Sequence, residues 1–179
     1  MTLYIIPAYE ETTRNQGYRH IIAEAKKRKY NIRILNLQIK GRLLSDLVGE
    51  GIKAIGNYND CVLFGFSTGA LIAFCISKKI PIKKGVFCSI SPILGKDSLD
   101  DLKLHQKYFG KNIVEELKMM RYGKSLADKK IFICGDGEGK KMISRMTKIC
   151  KTNKEKLILV TNNDHELNVD YVNTILKFV

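Results

Sequence analysis

The segment Val62-Leu63-Phe64-Gly65-Phe66-Ser67-Thr68-Gly69-Ala70-Leu71-Ile72-Ala73 reads as an apolar strand, a G-x-S-x-G turn and a helix of small residues. That order is the context a nucleophilic serine requires. A sharp strand-to-helix turn brings backbone segments close together, so Gly65 and Gly69 stand where a Cβ would collide. Ser67 is then carried at the tip of the turn, beside the start of a helix whose unpaired N–H groups and dipole favour negative charge. Ala70 and Ala73 let the helix pack closely beneath it. The same residues would also serve a Gly-rich turn in which Ser67 and Thr68 merely cap the helix. The apolar strand ahead and the small-residue helix behind favour the nucleophile.

A serine hydroxyl attacks only with a base beside it and a third group that orients the base. Of the three histidines, His20 falls within an amphipathic stretch and His105 within a long insert, where surface or packing roles suit them. His165 lies in Thr161-Asn162-Asn163-Asp164-His165-Glu166-Leu167, after the last apolar run and before the last helical stretch. Parallel strands all end at one edge of their sheet, so His165 and Ser67 would share that edge. The acid belongs after the fifth run, where Cys134-Gly135-Asp136-Gly137-Glu138-Gly139 offers both Asp136 and Glu138.

The elements that must position these groups follow from the hydrophobic pattern. Short apolar runs cover Leu3–Ile6, Ile32–Leu37, Cys61–Phe66, Gly85–Ile90, Lys130–Cys134 and Leu157–Thr161. They are rich in Val, Ile, Leu and Phe rather than alternating, as strands buried on both faces are. Helical stretches lie between them: Arg14–Lys29, Leu43–Tyr58, Thr68–Lys79, Lys140–Cys150 and Glu166–Phe178. Strand followed by helix, repeated, predicts a three-layer, doubly wound, mostly parallel six-stranded sheet. Residues 91–128 are too long for a single crossover helix. Ser98 with Asp101, and Asn112 with Glu115, offer N-cap signals for two short helices, read as a lid-like insert within one domain spanning residues 1–179.

Composition bounds the function. The chain carries 31 basic and 18 acidic residues, a net charge of +13, which attracts anions. The basic residues are mostly scattered Lys pairs, with no long basic run and no Arg interleaved with aromatics, so the sequence does not read as a nucleic-acid binder. Five cysteines, with no C-x-x-C pair, argue against a disulfide framework or zinc site. No signal peptide and no membrane-length apolar run are seen, so a cytoplasmic protein without a membrane partner is expected.

With the elbow Gly65-Phe66-Ser67-Thr68-Gly69, the turn Gly135-Asp136-Gly137-Glu138 and His165 in the order serine, acid, histidine, the chain resembles compact α/β-hydrolases over essentially its full length. The resemblance implies a minimal version of that fold, with strand order 2-1-3-4-5-6. Family members often carry G-D-x-D after this strand, the second acid completing the triad. By that register Glu138 takes the catalytic place and Asp136 the flanking one. Glutamate in place of aspartate is a departure, because the longer side chain must be seated differently. The family's oxyanion hole uses the N–H after the nucleophile, here Thr68, and one from the loop after the first strand, here Tyr9 or Ala8. Pro7-Ala8 departs from the His-Gly common in that loop.

The activity so implied is hydrolysis of a carboxylic ester or thioester through an acyl-enzyme on Ser67, with neither metal nor organic cofactor. The partner would be a small acyl substrate, and the basic surface suits an acidic one such as an acyl-CoA or acyl-carrier protein. Two other readings compete. Gly135–Lys141 superficially resembles a phosphate cradle, but it fits neither the dinucleotide fingerprint nor a Walker A loop, and its two carboxylates would repel phosphate. The departures at Glu138 and Pro7-Ala8 would also fit a hydrolase scaffold that binds without catalysing.

Overall fold

The structure, a computed structural model, describes residues 1–91, 102–121 and 123–179. Strands β1 (Thr2–Ile6), β2 (Asn31–Ile34), β3 (Cys61–Phe66), β4 (Lys84–Cys88), β5 (Lys129–Gly135) and β6 (Leu157–Val160) form one sheet. Its order is β2-β1-β3-β4-β5-β6, and every neighbouring pair is parallel. This is the expected doubly wound arrangement.

The helices α1 (Gln16–Lys27), α2 (Leu44–Ala54), α3 (Thr68–Ser77), α4 (Leu102–Phe109), α5 (Lys111–Met119), α6 (Lys140–Asn153) and α7 (Val169–Ile175) cover the two faces. On one face Tyr18, Ile21 and Ala25 of α1 and Val172 and Ile175 of α7 pack on Leu3, Ile5, Val62, Phe64 and Ile133. On the other, α2, α3, α5 and α6 bury Tyr4, Leu63, Phe87 and Phe132. Because side chains alternate across each strand, one β3 sequence supplies both layers. Helix α3 is buried along its whole length, which explains its lack of a polar face.

Several boundaries differ from expectation for local reasons. Strand β2 stops at Ile34 because the chain turns Leu35 and Ile39 into the core. Strand β4 ends at Cys88, since Ser89 adopts φ 50°. Helix α2 ends at Ala54 and is followed by a short 3₁₀ turn, Tyr58–Asp60. Helix α6 runs on to Asn153 and stops where Lys154 takes a left-handed conformation. Helix α7 starts only at Val169, where the Asn168 side chain accepts from the Tyr171 N–H at 3.0 Å.

The described part of the insert holds two short helices, α4 and α5. Phe109 at the end of α4 packs edge-on against Tyr9, ring centroids 5.0 Å apart, at the carboxyl edge of the sheet. Helix α5 instead packs beside α2 and leads back toward the start of β5. The Asn112–Glu115 signal marks no cap. Gly110 precedes α5 as its N-cap, and Asn112 donates from Nδ2 to the Gly41 carbonyl. The Ser98–Asp101 signal lies outside the described residues.

Candidate active site

Strand β3 delivers Ser67 to the carboxyl edge in a backbone conformation of φ 54° and ψ −122°, one that residues with a Cβ rarely adopt. Close packing enforces it. A Cβ on Gly65 would strike the Gly69 carbonyl, and one on Gly69 would strike the Ile6 carbonyl of β1. The Ser67 N–H donates to the Cys88 carbonyl at 2.9 Å, tying the turn to β4.

His165 sits on the loop between β6 and α7 and stands between serine and acid. Its Nε2 lies 2.8 Å from Ser67 Oγ, and its Nδ1 lies 2.7 Å from Glu138 Oε2. The Phe66 ring supports the imidazole at a centroid distance of 5.1 Å. The histidine side chain is 39% exposed, whereas that of Glu138 is 1% exposed. A buried carboxylate needs compensating donors, and Glu138 has three. His165 meets one oxygen, while the other accepts from the Ser89 hydroxyl and from the Gly135 N–H at 2.9 Å. Burial alone would raise the Glu138 pKa; the hydrogen bonds from His165, Ser89 and Gly135 outweigh it and hold the carboxyl below the ordinary glutamate value.

Asp136, the competing acid, is exposed and turned elsewhere. Its Oδ1 accepts from the Asn163 N–H at 3.3 Å, which braces the loop that carries His165. The Gly135–Gly139 turn thus spends its inward groups within the protein: Gly135 N–H goes to Glu138, and Gly137 N–H to the Asn163 carbonyl at 2.9 Å. That leaves a poor cradle for phosphate.

Thr68 and Tyr9 also meet. Thr68 opens α3, so its N–H lies outside the helix's own ladder. Its hydroxyl accepts from the Tyr9 N–H at 2.6 Å. The neighbouring Ala8 N–H donates to the Tyr18 hydroxyl at 3.0 Å, and that hydroxyl donates to Glu11 at 2.8 Å. Ala8 N–H is therefore directed into the α1 side of the loop. Next to Tyr9, a cavity of about 650 Å³ opens between Ile6–Arg14 and Leu35–Lys40, with Glu10, Arg14, Gln38 and Lys40 among its walls.

Among the described residues, no group of three or more His, Cys, Asp or Glu side chains is arranged to hold a metal ion. No described helix is long and apolar enough to cross a membrane. All five cysteines are free thiols and buried. The sequence reading missed Ser89 and Tyr171. Ser89 lies inside the expected run Gly85–Ile90, and only the end of β4 at Cys88 puts its hydroxyl past the strand; Tyr171 reads in sequence as one more apolar position of the last helix.

No protein-family model and no curated protein matches the sequence. Solved structures do match in shape. A carboxylesterase of the thaumarchaeon Nitrososphaera gargenis is 13% identical with a TM-score of 0.72, the match covering 99% of this chain and 89% of that one. Est1E from Butyrivibrio proteoclasticus, also solved with ferulic acid bound, is 11% identical with a TM-score of 0.67, over 98% and 84% of the two chains. The ydeN gene product of B. subtilis is 13% identical with a TM-score of 0.66, over 92% and 87%. What these proteins share with this chain is the fold.

Proposed function

The chain has the α/β-hydrolase fold, and on that premise we propose that it is a serine hydrolase, cleaving a carboxylic ester or thioester through an acyl-enzyme on Ser67. The observation that carries this reading is the unbroken chain Ser67 Oγ–His165 Nε2 and His165 Nδ1–Glu138 Oε2, at 2.8 and 2.7 Å. A merely structural histidine has no need of a serine hydroxyl on one nitrogen and a buried carboxylate on the other.

In this mechanism His165 Nε2 takes the Ser67 proton as Oγ bonds to the substrate carbonyl carbon, and the carbonyl π electrons move to oxygen. The Thr68 N–H meets the oxyanion, and the Tyr9 N–H, which donates to the Thr68 hydroxyl at rest, joins it by leaving that hydroxyl. Collapse of the tetrahedral species breaks the bond to the alcohol or thiol, which leaves with the proton from Nε2. Water then attacks the acyl-enzyme with His165 again as base, releasing the acid and restoring Ser67. Glu138 stays ionised throughout and stabilises the imidazolium. The charge of +13 favours an acidic substrate or carrier.

The test is intact mass and peptide mapping after treatment with a serine-directed fluorophosphonate. A single adduct on Ser67, absent in Ser67→Ala and much slowed in His165→Ala, is the expected result. No adduct, or labelling indifferent to His165, overturns the triad and leaves the non-catalytic scaffold in its place.

A further inference from the structure

The Glu138 carboxylate is held from a direction that the triad does not require. Its Oε1 accepts from the hydroxyl of Ser89, just beyond β4, on the strand next to its own. Ser89 Oγ in turn lies 2.6 Å from the Tyr171 hydroxyl of α7, and that hydroxyl also reaches the Ile133 carbonyl at 3.0 Å. Ser89 is fully buried and Tyr171 likewise, so these contacts are made away from water.

A hydroxyl has one proton, and this fixes the polarity of the relay. An ionised carboxylate only accepts, so the Ser89 proton is committed to Glu138. The contact with Tyr171 must then be made by the tyrosine's proton, with the Ile133 carbonyl sharing it at the longer distance. Burial, the largest influence, raises the Tyr171 pKa far above the ordinary value, which keeps the phenol a donor. Every step of the relay therefore points its positive end at Glu138. Ser89 also adopts φ 50°, a conformation that costs free energy with any Cβ present and that aims the side chain away from the path of β4.

We propose that Ser89, backed by Tyr171, is a positioning residue that fixes the Glu138 carboxylate for His165, and that this pair is the seat a glutamate needs in place of an aspartate. The inference rests on the serine-hydrolase reading above. The longer glutamate arm reaches past its own strand end to β4, and without the hydroxyl there Oε1 keeps only the Gly135 N–H. The other groups facing Glu138 are His165 from the β6–α7 loop and the thiols of Cys88 and Cys134, both with pKa values raised by burial and therefore neutral. Asp136 and Asp164 flank the turn outside. His165 is thus the one cationic partner available to Glu138 among these groups.

The test is the rate of fluorophosphonate labelling against pH for wild type, Ser67→Ala, Ser89→Ala, Ser89→Gly and Tyr171→Phe. Glycine accepts the backbone conformation at 89, so a loss shared by the alanine and glycine variants comes from the hydroxyl and not from strain or misfolding. Removing a donor leaves more negative potential at His165, so its protonated form persists to higher pH. The expected result is a plateau rate about tenfold lower in both Ser89 variants, with the acid limb displaced upward by roughly half a pH unit or more. Tyr171→Phe should move in the same direction by less. Wild-type labelling on Ser67 with variant profiles that superimpose on it would overturn the positioning role alone. Absence of Ser67 labelling in the wild type would overturn the hydrolase reading and this inference with it.

Discussion

The Tyr9 backbone N–H donates to the Thr68 hydroxyl at 2.6 Å, so the loop after β1 is pinned to the residue that follows Ser67. The Tyr9 ring is also packed against Phe109 of α4. The Thr68 hydroxyl therefore fixes the loop that carries the second proposed oxyanion donor, and that N–H must leave the hydroxyl to serve there. Thr68→Val keeps the shape and removes the acceptor. Its kcat on any ester the protein turns over should fall about tenfold with KM little changed, since the loop loses its tie to the turn and presents the Tyr9 N–H poorly to a developing charge. Thr68→Ser should retain most of the rate.

Glu138 and Asp136 should separate cleanly by mutation. Glu138→Gln leaves His165 without its ionised partner, and turnover should drop by on the order of 10²–10⁴-fold. Asp136→Asn should change turnover by less than about threefold, because that exposed carboxylate accepts from the Asn163 N–H and does not reach His165 among its hydrogen bonds to described residues. Steady-state kinetics on the two purified variants decides between them.

Acid should weaken the fold partly through Glu138. Its folded-state pKa lies below the ordinary 4.5, so its stabilising contribution is complete above about pH 4.5 and is lost as pH falls through the lower, folded value. The stability gap between wild type and Glu138→Gln, measured by urea unfolding, should therefore be widest near neutrality and close as pH falls below the ordinary carboxyl value and through the lower, folded one. A gap independent of pH would contradict the depressed carboxyl.

Gly69→Ala should be among the most damaging single changes in the chain. Its methyl would meet the Ile6 and Pro7 carbonyls, which are backbone and cannot move aside. A loss of about 3 kcal/mol or more in denaturant unfolding is expected, along with weaker labelling of Ser67.

The thiols should be silent in the native protein. Burial pushes those of Cys61, Cys75 and Cys150 up to about 12, and Cys88 and Cys134 are raised as well. At pH 8 a thiol-specific chromogenic reagent should titrate essentially none of the five until denaturant is added.

Much of this arrangement was readable before any coordinates, because it follows from position rather than from contact. Residues just past the carboxyl ends of parallel strands share one edge, and that rule alone gathers Ser67, Asp136, Glu138 and His165. The doubly wound parallel sheet follows from the alternation of apolar runs and helices, and its strand order from the resemblance to α/β-hydrolases. What the rule could not do was choose between two acids separated by one residue, which depends on which side chain the turn directs inward. Ser89 obeys the same rule, yet a serine at a strand end has many uses, and only the left-handed backbone at that position aims it at Glu138. Tyr171 was hidden among apolar neighbours, because a tyrosine contributes a ring to the core and a hydroxyl to whatever lies within reach. Amphipathic spacing likewise shows that α5 buries a face, not which layer receives it.

Burial is uneven across the two halves of the site, and this bears on how the molecule comes apart. Ser67 is mounted between β3, buried at every position, and α3, with every residue buried. His165 is carried between β6, a four-residue edge strand only partly covered, and the seven-residue α7. Cooperative opening begins where few apolar contacts protect the backbone hydrogen bonds. Amide exchange should accordingly be fastest through 161–168 and slowest in β3 and α3. On warming, His165 would leave Ser67 before the core melts, so that loss of fluorophosphonate labelling precedes global unfolding and reverses on cooling while the turn at Ser67 waits intact.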